Sequence, residues 1–440
     1  MSPHRISLPG SGPCSLINLR LHRAHLADTA GFAFDRDGFA LAQIDIQDDR
    51  LAAIRPAASA QAEPAAHDCA GGIVFPAFID CHTHLDKGHI WPREPNPDGS
   101  FAGALESTGR DREANWSADD VARRMEFSLA CAYAHGTKAI RTHLDSPPPQ
   151  DEISWPVFAE VRDRWKDRIA LQGVCLFGID AIRDESWFDR LAARVADHRG
   201  VLGAVTFMVP DLDDLLERIF RKAIDLGLDL DFHADETDDV NAVSLDRIAD
   251  TALKFGFEGK ILVGHCCSLA RQPDDQIKST LDKVARARLS VVSLPMCNMY
   301  LQDRRQDATT PRWRGVTLLH EMAARGINVC VASDNTRDPF YAYGDMDMLE
   351  VYREATRILH FDHPLGDWPS TISEYPARAM GLDGAGLLAP GGDADLVLFR
   401  GRSLTELLSR PESDRIVIRA GRTIDAKLPD YSDLDDLMEP

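Results

Sequence analysis

The run Ile73-Val74-Phe75-Pro76-Ala77-Phe78-Ile79 is wholly apolar and then turns abruptly polar in Asp80-Cys81-His82-Thr83-His84. Seven later stretches repeat the theme, at residues 138–142, 169–177, 202–207, 228–232, 260–264, 289–294 and 327–332. Short apolar runs of this kind suit strands buried on both faces. Longer charged stretches separate them, and residues 213–226 and 318–325 carry helical periodicity. Eight strand–helix alternations predict an α/β fold, a (β/α)8 TIM barrel over residues 73–380. An open doubly wound sheet shares the same periodicity. Both chain ends are different. Leu16-Ile17-Asn18-Leu19-Arg20-Leu21 and Ala40-Leu41-Ala42-Gln43-Ile44-Asp45-Ile46 read as strands, as do residues 394–399 and 415–421. Residues 1–72 and 381–440 are therefore expected to build a small β-sandwich from both termini.

Composition narrows the partners. The chain has 440 residues, 44% of them hydrophobic and 27% charged, which is ordinary for a globular protein. It carries 70 acidic and 49 basic side chains, a net charge of −21. A field of that sign repels phosphate backbones and anionic lipid, so neither a nucleic-acid polymer nor a membrane is an expected partner. No apolar run reaches the roughly 18 residues of a spanning helix. Met1-Ser2-Pro3-His4-Arg5 leads into no apolar signal core. The nine cysteines are scattered, with no C-x-x-C pair, and read as reduced thiols of a cytoplasmic protein.

A barrel carries its chemistry at the C-terminal ends of its strands. There the sequence offers His82-Thr83-His84, His143, His233-Ala234-Asp235-Glu236, His265 and Ser333-Asp334-Asn335. His82 and His84, two apart on a strand, point to the same side. Neutral imidazole suits zinc or iron(II). Three imidazoles and a carboxylate, from His82, His84, His233 and Asp334, leave room for water at one divalent cation. The end of the fourth run, Ala204-Val205-Thr206-Phe207-Met208-Val209-Pro210, has no lysine to bridge a second ion. Glu236 stands three residues past His233, where a carboxylate can move a proton between water and substrate. The competing reading makes it an acid at a helix N-terminus. His143 has either a structural role or a hydrogen bond near the cation. Alternation turns Cys81 and Cys266 away from the site, into the core. Asp86 and Lys87 either pair with each other or touch substrate. The proline-rich stretch 91–99 is too long for a turn, and covers a pocket mouth or meets another subunit. The acidic stretch 211–217 reads as a solvated helix start. There is no phosphate-binding glycine loop and no H-x-E with P-C-x-x-C, so nucleotide-fold readings and the small zinc deaminase architecture lack support.

Together these residues resemble the amidohydrolase superfamily, and within it the bacterial cytosine deaminase group. The resemblance rests on His82-Thr83-His84-Leu85-Asp86, Arg141-Thr142-His143-Leu144-Asp145, His233-Ala234-Asp235-Glu236-Thr237-Asp238-Asp239, His265, Leu301-Gln302 and Ser333-Asp334-Asn335-Thr336-Arg337-Asp338-Pro339-Phe340, with Gly391-Gly392-Asp393-Ala394-Asp395 re-entering the β-domain. It implies one divalent ion, Zn2+ or Fe2+, on His82, His84, His233 and Asp334. It further implies a proton shuttle at Glu236, a hydroxide-polarising His265, and a proton-accepting Asp334. The implied reaction is hydrolytic deamination of a cytosine-like amino N-heterocycle, a small molecule, by a chain that is a homo-oligomer in many relatives. Two departures touch substrate recognition. Leu176-Phe177-Gly178 lacks the glutamine that follows strand three in the group. Asn335 and Phe340 replace an aspartate and a tryptophan. Phe177, Gly178, Asn335 and Phe340 are thus the expected substrate contacts, and the ring can differ from cytosine. The rival enzyme reading is cleavage of an N-substituted amine or cyclic amide on a triazine or pyrimidine. A non-catalytic scaffold is the rival of another class, and retention of every expected ligand argues against it.

Overall fold

The computed structural model describes residues 13–57, 66–305, 307, 309–411 and 414–438. The Met1-to-Arg5 stretch lies outside them. Eight parallel strands form the barrel: Phe78–Thr83, Thr137–Asp145, Ala170–Leu176, Leu202–Thr206, Leu230–Ala234, Ile261–His265, Ser290–Ser293 and Asn328–Val331. The first three pair as one set and the last five as another. Isolated parallel bridges, Val174 to Val201 and Gly178 to Val205, join strands three and four. Thr83 to Asp334 joins the end of strand one to the turn after strand eight, which closes the ring. Each apolar run of the sequence supplies one of these strands.

Helices pack outside the ring because each presents one apolar stripe. In the helix Leu212–Leu226, the buried side chains are Leu212, Leu215, Leu216, Ile219, Phe220 and Ala223. That is the spacing of a core-facing helix. Burying each of the larger ones stabilises the fold by about 1.5–3 kcal/mol. Asp213 and Asp214 occupy the exposed first turn, favoured by the helix dipole. The nine cysteines are all buried free thiols. No helix among the described residues is long and apolar enough to cross a membrane.

Strands from both chain ends form one eight-stranded sheet. Cys14–His22 lies beside Phe39–Gln47 and Ile73–Pro76, and Ile73–Pro76 pairs with Leu396–Phe399. Leu16, Leu21, Ile44, Val74, Leu396 and Ile418 share one apolar cluster on it. The first apolar run is therefore divided. Ile73–Pro76 belongs to this sheet and Phe78–Thr83 to the barrel, with Ala77 between them. Residues 73–79 are continuously apolar because both pieces are buried, so hydropathy alone carries no mark of the break.

Candidate active site

Four side chains converge at the C-terminal face of the barrel. His82 lies on strand one, His84 directly after it, His233 on strand five, and Asp334 just after strand eight. The Nε2 atoms of His82 and His233 are 3.1 Å apart, and those of His233 and His84 3.2 Å apart. Asp334 Oδ1 stands 3.5 Å from His82 Nε2 and 3.3 Å from His84 Nε2. All four groups are buried. Neither Asp334 oxygen has a hydrogen-bond partner among the described residues, nor has the Nδ1 of His82, His84 or His233. Burying such polar groups without partners is costly. Three ring nitrogens and a carboxylate oxygen pressed together cannot all satisfy one another by sharing protons. A cation at their centre satisfies them together, and this donor set fits zinc or iron(II). Burial holds the His233 and His84 imidazoles well below their usual pKa, so both are neutral, as ligation requires. Burial pushes the Asp334 carboxyl upward. The facing His82 and His84, with His265, outweigh it and keep the group ionised.

Backbone shape aims these groups. Asp235, His265, Cys266 and Asp334 all have positive φ, unusual for residues with side chains. Gly264 is required for a different reason. A Cβ there would come within 2.8 Å of His82 Cε1, so only glycine lets the His82 ring lie over strand six. Asp235 caps the helix Ser244–Phe255 by accepting from the Ser244 and Leu245 amides at 2.8 and 2.9 Å. That helix begins well past Glu236, so Glu236 is not a helix N-terminal acid.

Glu236 and His265 face the convergence point from one side. His265 Nδ1 is 3.3 Å from Glu236 Oε1, and Asn298 Nδ2 approaches both, at 2.9 and 3.0 Å. Burial raises the Glu236 carboxyl well above its ordinary range, and the negative Asp334 adds to it. Burial lowers His265 to about 3, so its ring is neutral. His143 is otherwise engaged. Its Nδ1 faces Thr83 O at 3.3 Å and its Nε2 faces Asp231 Oδ1 at 3.2 Å. Although His143 crowds the other rings, both its nitrogens are directed to protein oxygens.

The cavity above this floor encloses about 360 Å³. Phe101, Phe177, Phe207 and Phe340 wall it, with Gly178 and Asn335 on the same lining. All four expected substrate contacts thus lie on its surface. Asn335 is fixed at both ends, donating to Asp338 Oδ2 at 2.7 Å and accepting from the Cys297 thiol at 3.7 Å. Sequence reasoning gave no place to the helix Phe101–Asn115, which lends Phe101, Leu105, Thr108 and Arg112 to the pocket. Lys87 also lines it, and Asp145 binds Lys87 Nζ at 2.7 Å and Arg112 Nη1 at 2.9 Å. Asp86 accepts from the Asp145 amide at 2.7 Å, so Lys87 pairs with Asp145 rather than with Asp86. The 91–99 stretch anchors this helix. Arg93 binds Asp111 through Nε and Nη2, at 2.8 and 2.9 Å, and Asn96 ties Ser100 O to Pro339 O. Cys81 and Cys266 are in apolar clusters. The thiol nearest the acids is Cys297, whose Sγ groups with Glu236 and Asp334.

A family model described as "Amidohydrolase family" matches residues 178–425. Pterin deaminase of Rhizobium rhizogenes is 56% identical over 399 residues, covering 91% of this chain and 91% of that protein. Among solved structures, 5-methylcytosine deaminase from Klebsiella pneumoniae liganded with 5-fluorocytosine superposes with a TM-score of 0.81 at 24% identity, covering 94% of this chain and 97% of its own. N-isopropylammelide isopropylaminohydrolase from Burkholderia multivorans gives 0.73 at 24% identity, over 94% and 98%. At such identities the two structures bear on the fold alone.

Proposed function

The chain belongs to the amidohydrolase family, and from that premise we propose that it is a metal-dependent hydrolytic deaminase of a pterin-type ring, a bicyclic amino N-heterocycle. One observation carries the chemistry: three converging imidazoles with an unpartnered Asp334 carboxylate, and the buried Glu236 beside them, share the floor of one aromatic-walled cavity. The choice of ring follows the 56% identical pterin deaminase. It replaces the cytosine-type ring that the motifs suggest, and cytosine becomes the comparison substrate. The cavity is in the size class of small-molecule sites, about 300–1,000 Å³. Gly178 supports a flat slot. A side chain there would meet Phe207 Cε1 at 3.4 Å and Asp180 Oδ1 at 2.9 Å.

His82, His84, His233 and Asp334 would hold one divalent cation, zinc or iron(II). When bound it supplies a Lewis acid that makes water acidic enough to react near neutral pH. The chain's own groups do the rest. Glu236 takes a proton from water and gives it to the ring nitrogen beside the amino-bearing carbon, then carries the second proton, from the newly added hydroxyl, to the departing amine. A C–O bond forms, the C–N bond breaks, and ammonia leaves. His265 orients the attacking oxygen, and Asp334 is a second acceptor for the water proton. The phenylalanine walls hold the ring faces and keep bulk water out. Lys87 and Arg112 offer donors to its oxygen-bearing edge, with Asp145 balancing their charge.

The experiment is ammonia release by zinc-loaded protein from pterin, cytosine, 5-methylcytosine and an N-alkylated amino-triazine, with Glu236→Gln as the blank. Ammonia from pterin at the highest kcat/KM is expected. No ammonia from pterin with a full equivalent of zinc bound overturns the reading, and alkylamine release from the triazine supports the rival hydrolase.

A further inference from the structure

We propose that Asn298 is a positioning residue that fixes where the protons sit on His265 and Glu236. The proposal rests on the roles just given to those two groups and adds how the fold keeps them from neutralising each other. Asn298 belongs to the helix Pro295–Leu301 after strand seven and is fully buried. Its backbone amide donates to Leu294 O at 2.9 Å and its carbonyl accepts from Gln302 at 2.9 Å, so the side chain springs from a pinned backbone. The amide nitrogen carries two hydrogens and meets two acceptors, Glu236 Oε1 at 3.0 Å and His265 Nδ1 at 2.9 Å.

Two consequences follow at named atoms. His265 Nδ1 accepts a hydrogen, so the ring's own proton is on Nε2. That atom has no partner among the described residues, and His265 groups with His82 and Asp334 at the floor. His265 therefore offers a donor, not a lone pair, to an oxygen arriving there. Glu236 Oε1 also accepts a hydrogen, so Oε2 is the oxygen that takes and releases the travelling proton. Without Asn298 the alternative is close at hand. Oε1 lies 3.3 Å from His265 Nδ1. A proton on Nδ1 would bond the two groups directly, hold the carboxylate, and leave Nε2 with a lone pair. Reversing the amide fails for a shuttle. It would set Asn298 Oδ1 against Glu236 Oε1 whenever the glutamate is ionised, placing two acceptors face to face. With nitrogen inward, Oε1 is satisfied in both protonation states of Glu236.

The test compares Asn298→Asp and Asn298→Ala with Glu236→Gln in zinc-loaded protein, reading bound zinc, kcat and KM for pterin. Asn298→Asp keeps the shape but has no hydrogens to give. Both Asn298 variants are expected to lose about 10²-fold in kcat, with KM changed less than about threefold and a full equivalent of zinc retained. A kcat within about threefold of the parent in both overturns the proposal, and it does so alone if Glu236→Gln is inactive. An active Glu236→Gln instead overturns the underlying reading. Nitrogen NMR of 15N-histidine-labelled, zinc-loaded parent protein tests the same point without a variant at 298. His265 is assigned from the signal missing in His265→Asn. The expected His265 has a proton on Nε2 and a bare Nδ1, and a proton on Nδ1 overturns the proposal even if both Asn298 variants fail to fold.

Discussion

Two clusters of buried ionisable groups stand within one barrel and are built on opposite plans. In the first, Arg141, Asp231, Gln172 and His143 complete one another. Arg141 Nη1 donates to Asp231 Oδ2 at 2.9 Å, its Nε and Nη2 reach Gln172 Oε1 at 3.0 and 2.9 Å, and Gln172 Nε2 reaches Met380 O at 2.9 Å. In the second, the Nε2 atoms of His82, His84 and His233 crowd against one another, and both Asp334 oxygens are left without a hydrogen bond. Arg141, Asp231 and His143 are as buried as the second cluster, and residue types overlap. What separates the two clusters is whether the protein itself supplies the partners. Removing a partner from the first cluster strands a charge. Removing a member of the second strands none.

The sharpest way to break this contrast is to delete His233. We expect His233→Ala to retain less than a tenth of an equivalent of zinc and to lose turnover to background, measured by metal analysis and ammonia release. Zinc retained at full stoichiometry would erase the distinction. Glu236→Gln separates proton transfer from metal holding. It is expected to lower kcat by about 10²–10⁴-fold with zinc content unchanged. Denaturant unfolding of metal-free protein then compares the clusters directly. Asp231→Ala should cost about 3–5 kcal/mol, because Arg141 is left buried and unpaired. Asp334→Ala should cost less than Asp231→Ala, since its neighbours are neutral imidazoles and no buried guanidinium is left without a counter-charge. The smallest effect is expected at the pocket wall. Gly178→Ala should raise KM for pterin by about tenfold, the scale of one methyl group in a fitted pocket, with a smaller change for cytosine.

The barrel was legible because each strand is an apolar run with a polar end. His82, His84, His233, His265 and Asp334 stood out because they terminate such runs. The pieces that escaped notice carry no such mark. Asn298 sits three residues into a short helix, and an asparagine there reads as ordinary. Phe101, Leu105, Thr108 and Arg112 share a helix face by spacing, but their chemistry is mixed and no apolar stripe announces it. The role of Arg93 as an anchor is a long-range pairing with Asp111, invisible to local pattern. Ile73–Pro76 is indistinguishable by hydropathy from a barrel strand, because a buried sheet strand and a buried barrel strand are alike in that respect, yet it pairs in the terminal sheet.

The closing bridge of the ring, Thr83 to Asp334, lies among the very side chains suited to a cation, and the Asp334 amide bonds His82 O at 2.9 Å. A zinc ion there would fasten the earliest barrel element to the latest, across roughly 250 intervening residues. Filling the centre would then tighten the weld of the cylinder as well as arm it. At a thousandfold excess over its dissociation constant, zinc would stabilise the native chain by about 4 kcal/mol, so scarcity of the ion would threaten survival of the protein along with its turnover.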